Sequence, residues 1–376
     1  MKTIHGVYAF AKIFTDTIED YALSQIQLLC DNPAFEGCRI RVMPDVHPGK
    51  VGTIGFTSTV SRRILPQVVG IDLGCGVTLV KLKQKKAEFQ KLDKVIRERV
   101  PSGFCVRSKP HRYVREFDLL QLNCIEHISI EKAEVSLGTL GGGNHFIELD
   151  RDEAGTLYAA VHSGSRSLGK TVTEFYLAEG QKALKKQNLS VPYEMTYLEG
   201  NLMEQYLHDV QIVQEYAKWN RIAILDELIK GMKWKTEEMI SCVHNYIEDT
   251  GGKRMLRKGA ISAKKGEPVM IPVNMRDGIL LGVGKGTEDW NVSAPHGAGR
   301  ILKRDEVKER YTVSRFRSEM KGIYSSCIGE DTLDEAPFAY RTLDEIKGQI
   351  GDTVEIKKRI RPVYNFKAGR SQTKRR

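Results

Sequence analysis

Five glycine-rich stretches in this chain each enclose a side chain able to bind a cation or move a proton. They are Pro44-Asp45-Val46-His47-Pro48-Gly49-Lys50, Gly70-Ile71-Asp72-Leu73-Gly74-Cys75-Gly76, Gly141-Gly142-Gly143-Asn144-His145-Phe146, His162-Ser163-Gly164-Ser165-Arg166 and His296-Gly297-Ala298-Gly299-Arg300. Glycines beside a polar side chain let backbone and ligand approach closely and turn N–H groups toward anions, while the strands entering these loops supply rigidity. Together the five describe one site, which the fold has to assemble.

Punctuation by Gly and Pro and enrichment in β-branched residues predict strands over 4–14, 39–43, 51–60, 67–71, 77–82, 144–149, 157–162, 242–248, 269–273 and 279–283. Helices are predicted over 15–30 and 202–232. In the longer one Met203, Leu207, Val210, Val213, Ala217, Ile224 and Leu228 recur three, four or seven apart, a stripe that reads as core packing. With no internal repeat, low-complexity linker or break in composition, the chain reads as one intertwined α/β unit of the mixed α+β kind. Its 376 residues, 41% hydrophobic and 28% charged, allow a large core and exclude a disordered or fibrous protein.

No apolar run approaches the roughly 20 residues of a spanning helix, and the start at Met1 lacks the apolar block of a secretory leader, so a cytoplasmic protein without membrane contact is expected. The cysteines at 30, 38, 75, 105, 124, 242 and 327 are odd in number and nowhere spaced as CxxC. That excludes a disulfide framework and a zinc ribbon and leaves thiol or thiolate roles. Lys and Arg outnumber Asp and Glu by 58 to 48, and the net +10 draws the surface toward polyanions such as nucleic acid.

Asp72 and Cys75 end an apolar strand-like run, where Gly74 and Gly76 allow a turn that brings carboxylate and thiolate to one side. His145 and His162 close similar strands, and His244 lies in Cys242-Val243-His244-Asn245-Tyr246. A thiolate, a carboxylate and three imidazoles suit Mn, Fe, Co or Zn better than Mg, and a thiolate can bridge two ions. Each of these residues alone reads equally well as a packed core group.

Two further patterns compete. Gly164-Ser165-Arg166-Ser167-Leu168-Gly169-Lys170-Thr171 matches the phosphate-binding pattern GxxxxGK[ST], and Ile222-Ala223-Ile224-Leu225-Asp226-Glu227 resembles its companion acidic strand. The second, however, falls inside the long helical stripe, where its aspartate cannot end a strand. Gly282-Val283-Gly284-Lys285-Gly286 lacks the following acid of a dinucleotide site and reads as a glycine turn.

The islands in this order resemble the RtcB family of RNA ligases, from Val42-Met43-Pro44-Asp45-Val46-His47 to Val363-Tyr364-Asn365-Phe366-Lys367. The resemblance implies a single ligase domain over 1–367, with strands entering metal- and nucleotide-binding loops, and leaves 368–376 as a basic flexible tail. It implies joining of RNA 3′-phosphate or 2′,3′-cyclic phosphate ends to 5′-hydroxyl ends with GTP and two Mn²⁺ ions, through a histidine-guanylate intermediate, in RNA repair or tRNA splicing. Position by position, Asp72, Cys75, His145, His162 and His244 match the metal ligands, Cys75 being the thiolate shared by two ions. His296 matches the histidine that takes GMP. Asn144, His145, Phe146, Ile147 and Glu148, Pro272, Val273, Asn274 and Met275, His296, Gly297, Ala298 and Gly299, and Lys367 match guanylate-contacting positions, and Arg166 one that touches an RNA or triphosphate oxygen. The expected partners are RNA with those ends, GTP and an activating protein, for a monomeric chain.

Four departures stand out. Val273-Asn274 replaces a common Gly-Ser, Ile279 stands where a serine contact is usual, Lys303 replaces a serine, and the chain continues past Lys367. Loss of a hydroxyl at Ile279 predicts relaxed guanine recognition. A metal-dependent phosphoesterase acting on RNA cyclic phosphates and a noncatalytic RNA-binding relative are the competing readings, and His296 within His-Gly-Ala-Gly-Arg argues against both, since neither needs a nucleotidyl acceptor.

Overall fold

The computed structural model describes residues 1–369. Its larger sheet has seven strands in the order Thr236–Val243, Gly76–Leu82, Leu157–Ser163, Phe146–Arg151, Val354–Phe366, Gly278–Gly284 and Pro268–Asn274, every neighbouring pair antiparallel. A six-stranded sheet runs Lys2–His5, Phe10–Ile13, Ile40–Pro48, Thr53–Thr59, Lys253–Lys258 and Asn245–Thr250, with Phe10–Ile13 and Ile40–Pro48 parallel. The mixed α+β expectation holds.

Both faces of the seven-stranded sheet are covered, which is why its strands read as nearly continuous apolar runs. Side chains alternate across a strand, so Val77 and Leu79 pack with Ile271 and Leu280 on one face while Val80 and Leu82 pack with Ile96 and Leu225 on the other. The helix Gly200–Met232 lies across the second face, and all seven residues of its predicted stripe are buried. No described helix is long and apolar enough to cross a membrane.

Four local expectations change. The single strand over 4–14 is a hairpin, Lys2–His5 with Phe10–Ile13, closed by a Gly6 N–H to Ala9 C=O bond of 2.9 Å. The helix over 15–30 starts later, as Asp20–Cys30. The strand over 67–71 is a short helix, Pro66–Val69, because Pro66 at its first turn fixes φ where a helix needs it and lacks only an N–H the helix would leave unused. The strand over 242–248 is two strands in different sheets, with His244 at the joint between them. The long strand Val354–Phe366 went unpredicted; its charged residues mask the alternation. Of the expected tail, Ala368 and Gly369 are described and residues 370–376 lie outside the described chain.

Candidate active site

Register assembles the first half of the site. Gly76 pairs with both Ser163 and Val243, and His162 with both Val77 and Phe146. Antiparallel neighbours therefore put Cys75, which precedes Gly76, His145, which precedes Phe146, His162, and His244, which follows Val243, at one end of the sheet. Gly74 has φ +71°, and a Cβ there would stand 2.6 Å from Ala217, so only glycine lets the loop lie against the long helix. A Cβ on Gly164 would come within 2.4 Å of Asp72 Oδ1, so its bare backbone admits that carboxylate.

The ligating atoms fall into two groups, Cys75–His162–His244 and Asp72–Cys75–His145, each within 4.8 Å, and Cys75 belongs to both. Cys75 Sγ lies 3.2 Å from His162 Nε2 and 3.5 Å from His145 Nε2. His145 Nδ1 is 2.8 Å from the Leu140 carbonyl and His162 Nδ1 3.1 Å from that of Asn144. A carbonyl only accepts, so each Nδ1 carries a hydrogen and each ring turns its Nε2 into the cluster. His162 Nε2 faces His244 Nε2 at 3.3 Å. Burial, helped by neighbouring imidazoles, keeps His162 and His244 well below the usual histidine range, and burial with the Asp72 charge pushes the Cys75 thiol well up. Converging acceptors of N, S and O type fit two borderline cations sharing a thiolate.

The second half is a cavity of about 470 Å³ that opens beside the cluster, and His162 and His244 line it too. His296 stands at the boundary, its ring centroid 4.8 Å from that of His244. The buried carboxylate Asp45 accepts from His296 Nδ1 at 2.7 Å and from its backbone N–H at 3.2 Å, which turns Nε2 away from Asp45. Deeper in, Lys367 reaches Glu335 at 3.0 Å and the Asn144 carbonyl at 3.3 Å, and lies over the Phe146 ring. Burial alone would raise the Glu335 carboxyl, but Lys367, Arg304 and Arg300 together hold it far below the carboxylate range.

Of the positions expected to touch a nucleotide, Asn144, Phe146, Glu148, Pro272 through Met275, His296 through Gly299 and Lys367 line the cavity. His145 points instead into the donor cluster. Ile147 does not line the cavity: strand alternation sends it to the opposite face, into the core with Leu149 and Ile224. Ile279 does not line it either. It is fully buried among Ile271, Leu280 and Ile360. Lys303 does face the cavity.

Residues 33–368 match the family model described as "tRNA-splicing ligase RtcB". The chain belongs to the RtcB family. It is 30% identical to the RNA-splicing ligase RtcB of Escherichia coli strain K12, over 87% of this chain and 90% of that protein. It is also similar to the tRNA-splicing ligases RtcB of Aeropyrum pernix, at 27% over 86% of each chain, and Thermococcus kodakarensis, at 26% over 92% of this chain and 90% of the relative.

In this RtcB-family chain the competing phosphate-loop pattern forms no cradle. Gly169, Lys170 and Thr171 lie inside the helix Arg166–Lys186, their backbone N–H groups committed to helical bonds. Arg166 packs inward, with Nε on Thr139 Oγ1 at 3.0 Å and one Nη on the Gly103 carbonyl at 2.8 Å. Sequence reasoning missed the supports. Arg221 is fully buried and bonds the carbonyls of Gly74 and Ser163 at 2.7 and 3.1 Å. Asn220 bonds the Gly164 carbonyl and the Gly138 N–H. Both sit on the long helix, where a polar pair between apolar positions was the available signal. Asp45 was visible in its glycine-rich island; Glu335 carried no local signal.

Proposed function

We propose that this RtcB-family RNA ligase joins RNA 3′-phosphate or 2′,3′-cyclic phosphate ends to 5′-hydroxyl ends with GTP and Mn²⁺, through a guanylate on His296. The observation that carries the reading is the position of His296, between the donor cluster and the cavity, with Asp45 fixing its tautomer. Asp72, Cys75, His145, His162 and His244 would hold two Mn²⁺ ions, which when bound supply charge neutralisation at phosphate oxygens.

His296 Nε2 offers its lone pair to the α-phosphorus of GTP; a P–N bond forms and the bond to pyrophosphate breaks. Asp45 accepts the Nδ1 hydrogen bond throughout and stabilises the positive charge that develops on the ring. The cavity-lining Phe146 and Lys367 give the guanine a face and a cation, and Glu148 an acceptor. GMP then passes to an oxygen of the RNA 3′-phosphate, the P–N bond breaking as P–O forms. The 5′-hydroxyl attacks the 3′-phosphorus, expels GMP and loses its proton, closing the phosphodiester. A 2′,3′-cyclic end is first hydrolysed to the 3′-phosphate. An activating protein, a monomeric state, a cytoplasmic location and a role in repair or tRNA splicing complete the proposal.

The test is incubation with α-labelled GTP and Mn²⁺. Label on the protein that is acid-labile and alkali-stable supports a histidine adduct; absence of label, or label that survives acid, overturns it.

A further inference from the structure

Phe104 is 91% exposed, more than any other large apolar side chain described. Its loop is nevertheless held in place. Leu140 N–H bonds the Pro101 carbonyl, Gly103 N–H the Gly141 carbonyl and Arg107 N–H the Val135 carbonyl, each at 2.9 Å, and Arg166 grips the Gly103 carbonyl from below. An aromatic ring pushed into water from a pinned loop is not the random end of a mobile segment.

The position of the loop supplies the reason. Gly103 Cα lies 3.9 Å from where a Gly142 Cβ would stand, and Gly143 has nothing within 4 Å of its own. The bare glycine ribbon thus runs from beside Gly103, the residue before Phe104, to Asn144 and His145, at the donor cluster. Residues 99–112 contain four lysines or arginines and no acidic residue; Arg99, Arg107 and Arg112 are held by Glu227 and Asp226 of the long helix. Lys109 is exposed and forms no ion pair among the described residues. An apolar ring with an exposed, unpaired lysine five residues on, one glycine ribbon away from the reacting centre, matches a polynucleotide strand: bases stack on aromatic faces, phosphates seek cations, and glycine lets a backbone pass closely.

We infer that Phe104 is a stacking platform for a nucleobase of the RNA strand entering the donor cluster over Gly142 and Gly143. This deepens the ligase reading and rests on it: the occupant is the RNA substrate, held a few nucleotides from its reacting end.

The test compares the full-length protein with Phe104→Ala, Phe104→Leu and Phe104→Trp, titrating a labelled RNA that ends in a 3′-phosphate and carries one abasic nucleotide at each of its last four positions in turn. Expected are a loss of RNA affinity of about 5- to 100-fold in Phe104→Ala, a similar loss in Phe104→Leu, which keeps apolar bulk without a flat face, and retention in Phe104→Trp. One abasic position should weaken wild type by the same factor and Phe104→Ala by no more. Unchanged affinity in Phe104→Ala, a flat abasic profile, or full affinity in Phe104→Leu would overturn the platform, the last pointing to an apolar protein contact. Guanylylation of His296 uses no RNA and is scored separately, so failure of the ligase chemistry and failure of the platform give different results.

Discussion

The donor cluster and the cavity next to it pose opposite electrostatic problems. Around Cys75 the ligating atoms crowd one another: His162 Nε2 meets His244 Nε2 at 3.3 Å and the thiol lies between two imidazoles, and among the described residues no Lys or Arg is bonded to any of them. In the cavity the buried Glu335 carboxylate is already answered, by Lys367, Arg300 and Arg304 at 3.0, 3.4 and 2.6 Å. The cluster gathers atoms able to hold a cation without one among the described side chains, whereas the Glu335 carboxylate already has its cations. Damage to the first should therefore be all-or-none, and damage to the second graded.

The largest effect should come at the residue that joins the two regions. His296→Ala should leave metal content unchanged and reduce guanylylation at least about a thousandfold, because a methyl group has no lone pair for phosphorus. Joining of RNA that already carries the guanylate should partly survive, since only the earlier steps use the imidazole. Normal labelling of His296→Ala would remove it as nucleophile. Asp45→Asn should act through His296: an amide can also donate to Nδ1 and so permits the wrong tautomer, at a cost of about 10²–10⁴-fold in guanylylation with the affinity for GTP little changed. An unchanged rate would mean that the 2.7 Å bond only positions the loop.

On the cluster side, Cys75→Ser should lower the content of both cations and abolish activity, as measured by elemental analysis, because one sulfur belongs to both ligand groups. Loss of a single ion would instead show two independent sites. The sign of the pH dependence follows from the thiol. Burial raises its pKa in the free protein, so binding must expel its proton, and affinity for Mn²⁺ should rise with pH. His162 and His244 are already neutral and contribute no proton near pH 7. Titration calorimetry in buffers of different ionisation enthalpy should find about one proton released per protein, and none in Cys75→Ser.

In the cavity, Glu335→Gln strands Lys367 without its carboxylate. The KM for GTP should rise about tenfold with kcat changed less, and breaking a buried pair should cost about 3–5 kcal/mol in stability. Because the Glu335 carboxyl is depressed in the folded chain, its stabilisation is present above the ordinary glutamate range and lost as pH falls below it. Glu335→Gln should flatten that acid limb in a thermal melt.

These regions were unequally legible. The cluster announced itself because Asp72, Cys75, His145 and His162 sit in glycine-rich islands at strand ends, where chain geometry demands glycine beside a side chain able to hold a cation. His244 was found by residue type although the joint between two strands that carries it read as one strand. The cavity hid more. Its polar floor depends on Glu335, brought beside Lys367 by tertiary packing with no local pattern, and on which face of a strand each residue takes. A stretch such as Asn144 to Glu148 names five contacts when read as a line, but a strand presents alternate side chains, so Ile147 belongs to the core. Asn220 and Arg221, which fasten the glycine loops, were screened by the apolar stripe around them.

The same face argument reverses an expectation at Ile279 and supplies the smallest effect on chemistry. Read along the sequence, Ile279 stands in place of a hydroxyl that contacts guanine, which predicts that Ile279→Ser sharpens selection of GTP over ATP. In the fold Ile279 pairs with Pro272 and Ile360 across neighbouring strands and is fully buried in an apolar cluster, outside the cavity lining. A serine there removes buried methyl groups and buries a hydroxyl. The substitution should cost about 2–4 kcal/mol and lower the melting temperature, as large-to-small core changes do. The ratio of kcat/KM for GTP to that for ATP should stay within about twofold, because nothing that faces the ligand has changed. A ratio that rises severalfold at unchanged stability would instead mean that the serine hydroxyl reaches the base. Base selection would then extend to this strand, beyond Lys367 and the segment from Pro272 to Met275.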